Sequence, residues 1–457
     1  MKKFVLPLSF MLALVGCSSL PMEPDMPPGP SAARDPGVRG GTAGAGDPLA
    51  GLTTPELAIF KAGKDDFEDV ENVADGLGPM MNLDSCAGCH AQPALGGTSP
   101  TVNPQVAFAT KMNATNTVPS FITSNGPVRE VRFVKNPNGT PDGGVHDLFT
   151  IAGRSDAPGC ALAQQDFATE SARGNIIFRI PTPTFGAGLI EQIPDNEILA
   201  NYTSNPTTKA ALGIRGRPNI ILPFHAISGQ PNKNGNDGTL GRFGWKAQNK
   251  SLLVFSGEAY NVEMGITNEA FQTERDETAT CQFTTVPNSV TKVDSTTLLD
   301  GLSSIEKFAF FMRFLAPPMP SPDTPGGAES IARGRSLFDR IGCALCHTPT
   351  LQTGNSTVTA LRNQPVHLYS DLLLHDMGVG LADGIVQGQA GPREFRTAPL
   401  WGLGQRIFFL HDGRTADLRV AILAHQSKGS EANAVIRNFN QLLDSQKQDV
   451  LNFLRSL

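Results

Sequence analysis

The sequence predicts a mainly α protein built as two similar units in tandem, with long loop insertions in the first. Three observations carry this. A weak but ordered repeat runs through the chain. Gly63 and Phe67 stand four apart in one stretch, as do Gly334 and Phe338 in another, and Phe178-Arg179 with Pro183 and Phe185-Gly186-Ala187-Gly188 is echoed by Phe395-Arg396 with Pro399 and Trp401-Gly402-Leu403-Gly404. Each copy closes with an amphipathic helix behind a capping signal: Ser303 with Glu306, then Ile305, Phe308, Ala309 and Met312; and Ser445 with Gln448, then Val450, Phe453, Leu454 and Leu457. Between the copies, Ala316 to Gly327 is rich in Pro and Gly and reads as a linker. The units are therefore placed at 53–318 and 326–457.

The 457 residues suffice for two or three domains. A formal net charge of -6 gives no basic footprint, which argues against nucleic acid. Residues 1–16 read as a signal peptide: Lys2 and Lys3 precede an apolar stretch, Phe4 to Gly16, too short to span a bilayer. Leu14-Val15-Gly16-Cys17 matches a bacterial lipoprotein cleavage box, so Cys17 is the expected lipidation site; the alternative is an ordinary signal peptide with a coincidental Cys. Export across the inner membrane follows, with a lipid anchor on the periplasmic side as the only membrane contact. Ser18 in place of Asp points to the outer membrane. Residues 17–52, Pro- and Gly-rich, read as a flexible tether. Folded structure is expected from Thr53-Thr54-Pro55-Glu56, a helix start with Pro just inside it.

The chemistry lies in two CxxCH motifs, Cys86-Ala87-Gly88-Cys89-His90 and Cys343-Ala344-Leu345-Cys346-His347. Two thiols two residues apart reach the two vinyl groups of one haem, and the adjacent His ligates the iron. A thioredoxin-like CxxC does not need the His, and a zinc site built from both pairs does not need it twice. Two covalently bound haems of the c type are therefore expected, and the thiols they consume are not available for thiol chemistry. A cytochrome c fold begins with a helix before CxxCH and ends with one packed across it, so both units read as cytochrome-c-like. Of the seven cysteines, Cys160 and Cys281 remain. In an oxidising compartment they are expected to pair, the alternative being two free thiols. Pairing would close a loop of about 120 residues, worth about 4–5 kcal/mol in the chain-entropy model.

Further motifs carry a resemblance. They are Gly76-Leu77-Gly78-Pro79 before Ser85-Cys86, Gly241-Arg242-Phe243-Gly244-Trp245-Lys246, Met264-Gly265-Ile266-Thr267-Asn268, Tyr369-Ser370-Asp371-Leu372 with His375-Asp376-Met377-Gly378, and His411-Asp412-Gly413-Arg414. As an ordered set over residues 56 to 457 they resemble the bacterial di-haem cytochrome c peroxidase superfamily, and most of all its di-haem oxidoreductase branch of peroxidase-like or thiol-oxidoreductase-like c-type cytochromes. The superfamily also holds the methylamine dehydrogenase maturation enzyme and the di-haem rubber oxygenases. The peroxidases carry a Met ligand to the second haem fourteen residues after the HDG His; that place here holds His425. The resemblance thus implies bis-His ligation by His347 and His425, with Met377 as the runner-up ligand and His375 and His411 as structural neighbours. The competing reading of His425 is a surface helix His. His90 is proximal at the first haem. The displaceable His that peroxidases carry sixteen residues later is Val106 here, and His146 and His225 are the remaining histidines that could reach that iron. An open or weakly ligated first haem is expected.

A peroxidase also needs an acid/base group near the open iron. By position after the Phe178–Gly188 segment the resemblance nominates Glu191. It makes Arg179 a propionate or distal-pocket partner and Trp245 a bridge between the haems, against the alternatives of a surface Glu and a core Trp. Calcium, which the relatives hold between their domains, is a further ion to consider. The implied activity is a di-haem oxidoreductase: a small redox donor, a cytochrome or cupredoxin, feeds the C-terminal haem, and the N-terminal haem reduces peroxide or a similar oxidant. Two rivals are a pure electron-transfer cytochrome with both irons six-coordinate, and an oxygenase acting on an organic substrate. Expressed with a working cytochrome maturation system, the mature chain should weigh two haems more than its amino acids and lipid and show a Soret band; a bare mass with no Soret band overturns the haem reading.

Overall fold

The computed structural model describes residues 32–79, 81–140, 151–221, 226–227, 230–231, 240–272 and 278–457. Cys17, His146 and His225 lie outside the described residues. The chain is mainly α: fourteen α-helices among the described residues, with four short two-stranded antiparallel ladders. No helix of the described residues is long and apolar enough to cross a membrane.

The helix Thr54–Glu68 starts where the sequence places it. Thr53 caps it, Glu56 closes the capping box, and Pro55 sits in the first turn. It packs against Ser304–Phe314, itself started by a Ser303–Glu306 capping box, and Leu252–Met264 packs on the same partner. In the second half Ala328–Ile341 packs against Asp444–Ser456. The expected Ser445–Gln448 cap is replaced by an earlier start: the Gln446 side chain accepts from Leu443 N–H at 3.0 Å, and Gln448 bonds the backbone of Arg34 instead.

The repeat has a steric cause. A Cβ on Gly63 would lie 2.2 Å from the Lys307 carbonyl oxygen, and one on Gly334 would lie 1.9 Å from that of Asp449. Each glycine lets the closing helix cross in near backbone contact. One turn on, Phe67 meets His90 edge-on at 5.8 Å and Phe338 meets His347 at 6.3 Å. The same Gly–Phe pair therefore brings two helices together and walls off a CxxCH histidine in both halves.

The larger core holds Phe60, Phe67, Phe308, Phe311 and Phe314 and also takes in Leu351, Leu361, Leu368, Leu373 and Trp401 from the second half. A smaller core gathers Leu337, Phe338, Phe439, Val450, Phe453 and Leu454. Cys160 and Cys281 are joined by a disulfide across 121 residues.

The tether expected over 17–52 is corrected for its described part. Ala33 is 2% exposed within the smaller core. Asp35 takes both Nε and Nη2 of Arg455 at 2.7 Å, and Leu49 N–H bonds the Phe314 carbonyl. A Pro/Gly-rich stretch builds no core of its own, but Asp35 neutralises an arginine that is otherwise buried in the closing helix, and leaving that charge unpaired is costly.

Gly334→Ala is expected to lower stability by about 1–3 kcal/mol or more, because the added methyl must displace helix backbone. Thermal unfolding of the variant beside a surface Gly→Ala control, Gly40→Ala, checks this.

Candidate functional site

Each CxxCH motif opens on its own cavity. The first is about 1040 Å³ including its mouth and is bordered by Cys86, Cys89 and His90. The second is about 1390 Å³ and is bordered by Cys343, Cys346 and His347. The short helix Cys86–Cys89 is capped by the Ser85 side chain, and the second motif forms a 3-10 turn after Gly342, whose left-handed backbone (φ 102°) ends the preceding helix. All four motif thiols are free of disulfides. Burial pushes those of Cys86 and Cys89 well above the ordinary thiol range and that of Cys343 up to about 12. Neutral thiols are poor nucleophiles, so Cys86, Cys89 and Cys343 are not poised for thiol–disulfide exchange.

The histidines are set for a metal. His90 Nδ1 donates to the Gly97 carbonyl at 2.9 Å, and His347 Nδ1 donates to that of Tyr369 at 3.0 Å. In each case the Nδ1 bond fixes the tautomer that leaves Nε2 as the ligating nitrogen, as in metal sites; His90 Nε2 lies 3.9 Å from the Glu263 carboxylate, which also borders the first cavity. His425 borders the second cavity and repeats the arrangement, with Nδ1 on the Ala421 carbonyl at 2.8 Å. Burial lowers its pKa, and burial with His425 nearby lowers that of His347 to about 4. Both rings are therefore neutral, the form that binds a metal. His425 is no surface histidine. Met377 borders the same cavity. The His donors and the free thiol pairs fit a haem in each cavity, and the lining of the second is largely apolar.

His375 is pinned by two carboxylates, Asp371 on Nε2 and Glu431 on Nδ1, each at 2.9 Å. Burial opposes its charge, but the Cys346 sulfur and Asp371 hold its pKa well above the ordinary value. Cys346, Asp371 and His375 form the one cluster of potential metal ligands of these types among the described residues. Sulfur, nitrogen and a single carboxylate do not make the all-oxygen shell that calcium takes. His411 lies flat on Phe395 at 4.3 Å, and burial lowers its pKa to about 4.

The two walls differ. The first cavity is bordered by Gln105, Arg129, Glu130, Arg132, Arg179, Gln248 and Glu258, and His90 is its one histidine among the described residues. Glu258 lies on Leu252–Met264, 8% exposed, bonded to Asn249, and burial raises its pKa. Glu191 does not border either cavity and is corrected as the site carboxylate. It accepts from Leu252 N–H at 2.8 Å and pairs with Arg313 at 2.7 Å, so it starts a helix and balances a charge. Glu258 was missed because its partners come from distant segments; the signal was a Glu inside the apolar run Leu252-Leu-Val-Phe-Ser-Gly-Glu-Ala-Tyr260.

Arg179 borders the first cavity but spends its bonds on Asp383 at 2.9 Å and Gln387 at 2.7 Å. Trp245 borders both cavities, and its Nε1–H donates to the Ile180 carbonyl at 3.2 Å. Lys246, next in the chain, is fully buried against Asp383 at 3.0 Å; burial lowers its pKa to about 8 despite that carboxylate. The segment Gly76–Pro79 meets Met264-Gly265 at the rim of the first cavity, Gly78 N–H bonding the Met264 carbonyl. A Cβ on Gly265 (φ 74°) would lie 2.8 Å from Gly78 Cα.

Among known proteins, the sequence model of the family described as "Di-haem oxidoreductase, putative peroxidase" matches residues 140–457. No curated protein matches. Similar solved structures include the diheme peroxidase BthA from Burkholderia thailandensis E264, 14% identical over 56% of this chain and 87% of that one, with a TM-score of 0.28. A MauG-like protein associated with microbial copper homeostasis is 20% identical over 34% of this chain and 52% of its own, with a TM-score of 0.25. Hydrazine synthase of Kuenenia stuttgartiensis is 17% identical over 35% of this chain and 56% of its own, with a TM-score of 0.23. This chain thus spans little more than half the length of these last two.

His425→Ala should leave covalent attachment at Cys343 and Cys346 intact while converting one low-spin signal in the paramagnetic resonance spectrum of the oxidised protein. An unaltered spectrum removes His425 from the ligand set.

Proposed function

The chain belongs to the di-haem oxidoreductase family, with haem as cofactor, and from that premise we propose an exported peroxidase-like enzyme that reduces peroxide with electrons from a small redox protein. It is read as two cytochrome-c-like domains, 53–318 and 326–457, each with one haem bound through its cysteine pair. Cys17 carries lipid and anchors the enzyme at the periplasmic side of the outer membrane. The donor is a cytochrome or cupredoxin.

When bound, the C-terminal haem supplies one-electron transfer and the N-terminal haem an iron with a position for peroxide. The chain does the rest. His347 and His425 would hold the iron of the C-terminal haem, and His90 would hold that of the N-terminal haem. Trp245, touching both cavities, forms the wall through which they communicate. Glu258, held near the first cavity by Asn249 and with its pKa raised by burial, moves a proton between the two oxygens as the bond between them breaks. Two electrons and two protons convert one hydrogen peroxide to two waters. The observation that carries this reading is the contrast between the walls: charged and protic around Cys86–His90, mostly apolar around Cys343–His347. A pure relay has no use for the first wall.

The oxidised protein is expected to show one high-spin and one low-spin iron; two low-spin signals favour the relay instead. Glu258→Gln should lower kcat with peroxide by about 100- to 10,000-fold, the usual worth of a positioned acid/base. It should also remove the acidic limb of the pH profile, because that limb reflects protonation of the missing carboxylate. A stopped-flow assay with a reduced cytochrome checks both, and wild-type turnover in Glu258→Gln rejects the assignment.

A further inference from the structure

Seven arginines are buried among the described residues: Arg132, Arg154, Arg179, Arg242, Arg396, Arg406 and Arg455. Five of them meet a carboxylate: Arg132 meets Glu130, Arg154 meets Asp156, Arg179 meets Asp383, Arg242 meets Asp195, and Arg455 meets Asp35. The other two do not. Arg396 donates only to the carbonyls of Gly244 at 2.9 Å and Thr397 at 3.4 Å. The Arg406 guanidinium hydrogen-bonds no described residue, although it is 8% exposed.

Two buried guanidinium groups without an anion are a large uncompensated cost. Burial, with another arginine beside each, lowers both pKa values to about 10, which leaves both groups charged at neutral pH. Both border the second cavity, and both also border a smaller cavity beside Trp245 and Trp401. Among the described residues, the one carboxylate bordering the second cavity, Glu431, is spent on His375 and on backbone N–H groups of Arg215, Gly216 and Asp376. A haem carries two propionate carboxylates, and arginine is the side chain best shaped to hold a carboxylate in two parallel bonds.

We infer that Arg396 and Arg406 bind the propionates of the C-terminal haem and set its reduction potential, an assignment that rests on the reading that this haem is attached at Cys343 and Cys346. Arg396 stands in the second copy where Arg179 stands in the first, but Arg179 has Asp383 and Arg396 has no such partner. The positive charge beside the porphyrin favours the ferrous form, which carries one positive charge fewer than the ferric.

The test uses the full-length, haem-loaded protein, with covalent haem at Cys343–Cys346 first verified by peptide mass. Potentiometric titration then follows the low-spin haem. Arg406→Gln and Arg396→Gln should each lower the ferrous-to-ferric ratio at the wild-type midpoint by about tenfold, equivalent to 59 mV for a one-electron couple. The potential of each variant should also become pH-dependent near neutrality as a released propionate titrates. Arg406→Lys, which keeps the charge, should stay near wild type. Loss of that haem from Arg406→Gln but not from Arg406→Lys supports the assignment as well. Haem in place with unmoved potentials in both Gln variants overturns the arginine assignment alone. No haem at Cys343–Cys346 in the wild type overturns it together with the reading beneath it.

Discussion

One buried carboxylate ties the two halves of the molecule together between the cavities. Asp383 is wholly buried and takes Arg179 on one oxygen and Lys246 on the other. Arg179 ends the strand Ile176–Arg179 in the first half, and Lys246 follows Trp245. Removing one partner from such a group costs about 3–5 kcal/mol, because the remaining charges stay buried. Lys246 is further held by the Gly391 and Glu394 carbonyls and lies 4.2 Å over the Phe395 ring. With its neighbour fixed and its own Nε1–H on Ile180, Trp245 has little freedom. The wall between the cavities is therefore a cross-linked element.

Charge balance organises the rest in the same way. Arg455 of the closing helix finds Asp35 420 residues away, and Arg242 of the Gly241–Lys246 segment finds Asp195. Paired guanidinium groups tie loops onto the helical frame wherever the chain has little apolar periodicity to do so. This explains how a protein with 47 glycines and 35 prolines orders long loops around its cavities.

What the sequence made legible was local or periodic. CxxCH is complete within five residues. The Gly63–Phe67 and Gly334–Phe338 pairs could be seen as a repeat, because each glycine is demanded by one helix crossing and each Phe by the histidine it covers. His425 lies one short helix beyond His411, within reach of a fixed offset. Non-local chemistry was not legible in this way. Glu191 has the right residue type at a plausible offset, but the Leu252 N–H and Arg313 claim it. Glu258 becomes visible only when Asn249, Gln248 and the strand carrying Glu130 and Arg132 converge on it. The segment 32–52 reads as a linker because its composition builds no core; its anchoring rests on the Asp35–Arg455 pair, on Ala33 in the smaller core and on backbone bonds to distant segments, none of which leaves a local pattern.

The two cavities share a scaffold yet differ in what borders them, and under the proposed function that difference would carry the division of labour. A centre that only passes electrons is best served by two neutral histidines and a mostly apolar lining in which a carboxylate such as Glu431 is held by its own partners, His375 among them. His347, His425 and the leucines and phenylalanines around them provide this. A centre that breaks a bond between two oxygens needs room for a small polar molecule, donors to hold it and a carboxylate able to give and take a proton. Gln105, Gln248, Arg129 and Glu258 around the Cys86–His90 cavity supply those groups. Duplicating a haem-binding unit and then diverging only the walls would be enough to turn one relay into a relay and a reaction chamber. The long insertions in the first half bring in Arg129 to Arg132, which belong to that wall.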